Sequence, residues 1–250
     1  MITLSKGKSK YLRSLRRRKI RHQEKSFVLE GEKMCLELIK QHPDQIEFIL
    51  ISEALVQTLD IDTVFFREKL ILGTPDDFKE HTALDHNPGI LVVARMPDWA
   101  LKTSTTGKWI YLDGIQDPGN LGTIFRTAAW FGIEGVIVGP GSVDPYNPKV
   151  IQSSMGGLFQ VQHHYRTLEE IIEDFDDFPI IGLDMKGKNI RTIEMPKKGV
   201  LVLGAEGRGV SQDARSMVKN WWHIPKGNNA QMESLNAGVA LAIAVDRWMQ

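Results

Sequence analysis

Three segments of this sequence hold residue types that can do chemistry. The first is LDGIQDPGNLGTIFRTAAWFG, residues 112–132. An apolar strand ends at Leu112, Asp117-Pro118-Gly119 makes a turn, and Asn120 stands where a helix N-cap belongs. Its amide can cap the helix or reach a ligand. Backbone N–H groups at such a helix start favour an anion. Arg126 follows on the same helix. The second segment is VLVLGAEGRGVS, residues 200–211. Here a strand runs straight into a loop with Gly204, Gly207 and Gly209, where glycine permits positive φ and close backbone approach. Glu206 would repel a polyphosphate, so the loop suits a cationic or neutral ligand. It matches neither the dinucleotide GxGxxG pattern nor the phosphate-binding GxxxxGK[ST] pattern. The third segment is HIPKGNNAQMESLNAGVALAIAV, residues 223–245, where Ser234-Leu235-Asn236 opens a slim, alanine-rich helix. Each segment alone also fits a bland reading, namely a strand, a turn and a capped helix, with Ser211 and Ser234 as capping residues.

The elements around these loops set where they can point. From residue 108 onward, apolar strands alternate with helical patterns: WIYLDGI, GVIVG, PIIGLDM and GVLVLG, with a helix expected over about Leu121–Phe131. Continuous apolar strands joined by helices imply a parallel sheet covered on both faces, with ligands beyond the carboxyl ends of its strands. The first half also alternates. It predicts one helix over 9–22, a strand at Phe27–Leu29, a helix over Glu32–Gln41, a strand in IEFILIS and a strand in GILVVAR. The expected organisation is a small α/β domain over 1–96, a linker over 97–107 rich in Ser and Thr, and a larger α/β domain over 108–250.

Charge and composition narrow the function classes. The formal net charge is zero, yet KGKSKYLRSLRRRKIRHQEK, residues 6–25, contains one acid, Glu24. Lys10, Arg13, Arg16, Arg17 and Arg18 in that run are candidate contacts for nucleic-acid phosphates, against the plainer reading of a solvated helix face. No apolar run is long enough for a membrane span and no apolar signal core follows the basic start, so a soluble cytoplasmic protein is expected. The single cysteine, Cys35, reads as a small core residue. No Cys/His cluster has zinc spacing, and no metal is expected.

In order and content together, DPGNLGTIFRTAAWFGIEGVIV, VLVLGAEGRGVS and IP…ESLNAGVALAIAV resemble the three motifs of the SpoU/TrmH branch of the SPOUT methyltransferases. The opening YLRSLRRRKIRHQEKSFVLEGEKMCLELI and the strand PGILVVAR are similar to the substrate-recognition domain of that family. The resemblance implies an α/β fold whose C-terminal domain carries a parallel sheet and a deep trefoil knot, in a homodimer with active sites at the subunit interface. It implies transfer of a methyl group from S-adenosylmethionine to a ribose 2′-hydroxyl, in ribosomal rather than transfer RNA. It implicates Gly204, Ile224 and Leu235, with Gly207, in holding the donor. Asn120, Arg126, Glu206, Ser234 and Asn236 match the residues that position substrate and take part in catalysis. A guanidinium is not deprotonated in proteins, so Arg126 reads as a clamp on a phosphate and a stabiliser of developing alkoxide, not as a base. The stretch between Pro225 and Ser234 is longer than the family pattern, and Lys226 replaces its usual hydrophobic residue. The competing readings are a transfer-RNA methylating enzyme and a non-catalytic RNA-binding or ribosome-assembly factor on the same fold. A dehydrogenase is disfavoured by the missing GxGxxG.

Overall fold

The computed structural model describes residues 2–84, 89–101, 107–175 and 177–250. The centre of the expected linker, 102–106, lies outside the described residues. The chain forms two compact units: Met1–Asp98 with Tyr146–Gln152, and Trp99–Pro145 with Ser153–Gln250.

The first unit runs β1 (Ile2–Thr3), α1 (Lys6–Ser14), α2 (Arg18–Glu24), β2 (Ser26–Glu30), α3 (Glu32–Gln41), β3 (Ile46–Ile51), α4 (Glu53–Thr58), β4 (Leu70–Leu72), α5 (Pro75–His81) and β5 (Ile90–Arg95). Its sheet has the order β1-β4-β3-β5-β2 and is mixed: β4 pairs parallel with β1 and β3, while β5 runs antiparallel to β2 and β3. Leu12 and Leu15 pack against Phe48, Leu50, Ile71, Phe78, Leu91 and Val93. That packing breaks the single helix expected over 9–22. Leu15 enters the core, Arg17 turns extended (φ −91°, ψ 125°), and a new helix starts at Arg18. Buried Arg21 donates from one guanidinium nitrogen to the carbonyls of Leu15 (2.9 Å) and Arg16 (2.8 Å), which α1 leaves open at its end. Tyr146 packs with this unit, its ring centroid 5.0 Å from that of Phe27.

The second unit runs β6 (Lys108–Asp113), α6 (Pro118–Phe131), β7 (Gly135–Val138), α7 (Pro148–Ser154, whose first residues cluster with the first unit), α8 (Gly157–Gln160), β8 (Gln162–Tyr165), α9 (Leu168–Asp174), β9 (Ile180–Asn189), β10 (Gly199–Gly204), α10 (Gln212–Met217), β11 (Asn220–His223) and α11 (Ala237–Met249). All pairings in its sheet, order β11-β9-β10-β6-β7-β8, are parallel, as the unbroken apolar strands require. One face carries Trp109, Tyr111, Ile137, Val200 and Val202 against Leu168, Ile171 and Phe175. The alternate residues Ile110, Leu112, Val136 and Leu201 are equally buried, and α6 and α11 pack on each other and reach β7 and β10. The helix expected from Leu121 begins three residues earlier because Pro118 fixes the φ of its first residue.

His163 on β8 is buried, with Nδ1 3.1 Å from the Val161 carbonyl and its ring edge-on to Phe125. Burial pushes its pKa down to about 4, and burial lowers His81 and His164 as well. The unfolded chain therefore binds protons that the folded chain refuses. The stability that this exclusion provides is complete above about pH 6.5 and is lost as pH falls towards 4. Urea unfolding midpoints should drop over that window, and His163→Gln should flatten the slope. An unchanged slope in that variant would assign the proton uptake to other groups.

Candidate active site

The sheet register brings the first two loops together. β6 and β10 are adjacent and parallel, and Asp113 stands opposite Gly204, so both strands release their loops at the same edge. The Ser211 N–H donates to Asp113 Oδ2 (2.5 Å), which ties the second loop to the strand that feeds the first. Asp113 was not among the residues that the sequence singled out, although a carboxylate at a strand's carboxyl end was a readable signal.

The second loop closes on itself between Ala205 and Gly209, whose N–H donates to the Ala205 carbonyl (2.8 Å). A Cβ on Gly204 would fall 2.1 Å from the Gly209 carbonyl carbon, so no side chain fits there. Gly207 and Gly209 hold φ of +78° and +69°, the left-handed region that glycine enters without strain. This turn presents Glu206 outward, where its side chain meets the other two loops.

Asn120 Nδ2 donates to Glu206 Oε1 (2.7 Å), and Asn236 Nδ2 donates to the same oxygen (2.9 Å) and to Asn120 Oδ1 (2.8 Å). The Ala237 N–H also approaches Oε1 (3.4 Å). One residue from each loop thus joins a closed polar triangle. Two amide donors bonded to one carboxylate oxygen fix both asparagine orientations, since an inverted amide would put oxygen against oxygen. Glu206 Oε2 makes no hydrogen bond to any described residue.

The triangle depends on which residues cap the helices. Asp117, not Asn120, is the N-cap of α6 and accepts from the Asn120 N–H (2.8 Å). The side chain of Asn120 is thereby released from capping. At α11 the cap is Asn236, not Ser234: its Oδ1 accepts from the Val239 N–H (3.3 Å), while its Nδ2 serves the triangle. Gly238 sits against Thr123 of α6, where a Cβ would lie 3.1 Å from the threonine methyl, so a small residue sets the close approach of the two helices.

The other expected residues are not joined to the triangle by hydrogen bonds. Arg126 lies further along α6, exposed, with neither a hydrogen bond nor an ion pair to any described residue. Gly157 packs against its backbone, with room for no side chain: a Cβ there would be 2.9 Å from the Arg126 Cα. Ser234 is exposed, Leu235 is 48 % exposed and Ile224 is half-buried. In the first unit the five basic residues divide. Arg13 pairs with Glu80 (2.6 Å) and Arg16 donates to the Glu80 carbonyl (2.9 Å), which fastens α1 and the turn after it to α5. Lys10, Arg17 and Arg18 are exposed and have no partner among the described residues. No group of three or more His, Cys, Asp or Glu among the described residues could hold a metal, and no helix there is long and apolar enough to cross a membrane.

A carboxylate with one open oxygen and two oriented amides form a polar site at the meeting of the three loops, and Arg126 is an unpaired cation on the helix that carries Asn120. The SpoU rRNA Methylase family model matches residues 108–246. A 23S rRNA (guanosine(2553)-2′-O)-methyltransferase of Bacillus subtilis is 30 % identical over 241 residues, covering 95 % of this chain and 94 % of that protein. A solved structure from Porphyromonas gingivalis, assigned to the TrmH family of RNA methyltransferases, superposes with a TM-score of 0.86 at 32 % identity, covering 98 % of each chain. The SpoU methyltransferase AviRb of Streptomyces viridochromogenes, solved with AdoMet, has the same fold, with a TM-score of 0.82 at 22 % identity over 98 % of this chain and 97 % of that one. The three loops, the parallel sheet that aligns them and the match across 108–246 make this chain a member of the SpoU rRNA methylase family.

Proposed function

We propose that this protein methylates a ribose 2′-hydroxyl in ribosomal RNA, with S-adenosylmethionine as donor. The observation that carries the reading is the Asn120–Glu206–Asn236 triangle, built from all three motif loops, with an unpaired Arg126 further along the helix that carries Asn120. The residues fit a cationic donor. Glu206 offers an unpartnered carboxylate oxygen, Gly204 lets the loop fold back onto Gly209, Gly207 leaves open space where a side chain would stand, and Ile224 and Leu235 supply apolar surface at the neighbouring loop. Bound there, S-adenosylmethionine supplies a methyl group already attached to a positively charged leaving sulfur. Arg126 holds the phosphate beside the target ribose and stabilises the negative charge that develops on its 2′-oxygen. Asn120 and Asn236, fixed by Glu206, keep the loops in register, and exposed Ser234 meets the ribose. The ribosomal class is supported by the Bacillus subtilis relative, which matches this chain almost end to end. The same reading includes a cytoplasmic location. The trefoil knot belongs to the same reading, in which residues 224–236 carry the chain from β11, at the sheet's edge, back to Glu206 after β10.

The test is incubation with methyl-labelled S-adenosylmethionine and separate pools of unmodified ribosomal and transfer RNA, followed by mapping of ribose methylation. Label in ribosomal RNA alone is expected. Label in transfer RNA alone would shift the substrate class, and donor binding without label in either pool, assembling subunits included, would favour the binding-factor reading.

The active form in this reading is a homodimer. Trp130 of α6 is 84 % exposed, and Val239 and Ile243 of α11, one turn apart on the same face, are exposed as well. An apolar surface on two mutually packed helices suits a twofold contact with a second copy. Light scattering should show a dimer for the wild type and a monomer for Trp130→Glu with Ile243→Glu. A persistent dimer would move the interface elsewhere.

On RNA contacts of the first unit, the reading separates two groups. Charge reversal of Lys10, Arg17 and Arg18 should weaken RNA binding and flatten its salt dependence by about 0.7 in slope per lost phosphate. Arg13→Glu or Arg16→Glu should instead lower thermal stability by releasing α5 from α1. Equal effects on RNA affinity from both groups would count against the separation.

A further inference from the structure

At the edge of the second unit's sheet, β9 and β11 pair irregularly: Trp221 faces Gly182, but the next residue, Trp222, faces Lys188. Residues 183–187 therefore bulge out of the ladder. Gly187 makes this possible, because a Cβ there would fall 2.5 Å from the Trp222 carbonyl carbon. Beside the bulge opens a groove of about 620 Å³, lined by Lys186, Lys188, Lys219 and Glu194 over a floor that includes Ile181 and Trp222.

The three lysines are exposed, and none has an ion pair with a described residue. The nearby carboxylates of Asp184 and Asp177 are already taken, by Arg215 and Lys198. Three ammonium groups outside any ion pair, of which Lys186 also feels the Arg215-paired Asp184, stand against the one lining carboxylate of Glu194 and give the groove a net positive charge on a chain whose formal charge is zero. Edge protection does not account for these lysines, because Lys186 and Lys188 lie on β9, which pairs with both β10 and β11, and Lys219 precedes the edge strand β11. A positive groove with an apolar floor fits a flexible polyanion with apolar units, and the family's substrate is RNA.

We propose that the Lys186–Lys188–Lys219 groove is a second RNA-contact surface, which holds the backbone of a single-stranded segment of the substrate. The proposal rests on the RNA-methylation reading for its ligand. The groove lies on the catalytic unit itself, so it grips substrate RNA independently of the basic helices of the first unit.

The test measures binding of a fluorescein-labelled oligouridine to the full-length protein by anisotropy across a salt series. Lys186→Glu with Lys188→Glu and Lys219→Glu should weaken binding roughly 100-fold at 0.1 M salt and reduce the slope of log affinity against log salt by about 2. Donor binding and the melting temperature serve as folding controls, and the milder Lys188→Gln with Lys219→Gln should move affinity in the same direction. In the wild type, 4-thiouridine cross-links should map to the peptides spanning 186–188 and 219–222. Unchanged affinity and slope, or cross-links confined to α1 and α2, would overturn the proposal. Polyglutamate competing as well as polyuridine would overturn it in favour of an acidic protein partner. Cross-links in the groove with no methylation of any RNA would leave the groove standing and sink the enzyme reading instead.

Discussion

Arg126→Ala is expected to lower methyl transfer by about 10²- to 10³-fold while donor affinity stays within a few-fold of wild type. The argument begins with what Arg126 lacks. It is exposed, unpaired among the described residues and absent from the triangle that organises the loops. Removing it costs the fold neither a hydrogen bond nor a buried charge, so a loss of turnover cannot be ascribed to collapse of the site. The helix that carries it is held on one side by α11 and on the other by Gly157, which makes the position of its Cα rigid. An unpaired cation on a rigid element is suited to meeting charge that arrives with the substrate and grows during reaction. Arg126→Lys separates the two parts of that work. Lysine keeps the charge but loses the planar fork, so it should bind RNA nearly as well as wild type and still turn over slowly. Near-normal turnover of the alanine variant would remove Arg126 from the chemistry altogether. Equal rates for lysine and wild type would reduce it to a point charge.

Much of the frame around this site was readable in the residues, for definite reasons. Strands such as GVLVLG are apolar throughout because both faces of a parallel sheet are covered, and that pattern survives without knowledge of strand order. The adjacency of β6 and β10 was not readable, since about ninety residues separate them and period alone does not choose neighbours. The helix expected over 9–22 failed at Leu15 because tertiary burial of that side chain, and the carbonyl capping by Arg21, override a helical pattern that extends across the break. The cap positions failed in an instructive way. Asn120 and Ser234 are good capping types, but Asp117 before Pro118 and Asn236 before Ala237 are better placed, and only coordinates decide between adjacent candidates. The polar site residues were named by resemblance to a family, not by spacing: Asn120 and Asn236 are 116 positions apart, and no local rule joins them. The lysine groove is not legible in the sequence for the same reason, because a bulge gathers residues that the sequence spreads over 186–219.

Glu206 provides the second large effect, and it discriminates two roles. If Glu206 is the organiser of the three loops, Glu206→Gln keeps a carbonyl oxygen for the Asn120 and Asn236 amides and should retain activity within about tenfold, the residual loss reflecting weaker neutral hydrogen bonds. Glu206→Ala removes the acceptor. Asn120 is buried, so its donor is left without a partner at a cost of about 1–3 kcal/mol, a fall in melting temperature of roughly 3–10 °C for a unit of this size. Turnover should fall about 10²-fold with it, since both asparagines lose the orientation that keeps α11 registered on the second loop. If Glu206 is instead the general base, glutamine cannot take a proton, and both variants should lose the 10²–10⁴ that proton transfer contributes. The ratio of the glutamine and alanine rates, measured with saturating donor, therefore separates the roles. The hydrogen bonding favours the organiser, because Oε1 already accepts from two side-chain amides and approaches a third donor at Ala237. A carboxylate so engaged holds its geometry through the reaction, which is what three loops drawn from distant parts of the chain need in order to act as one site.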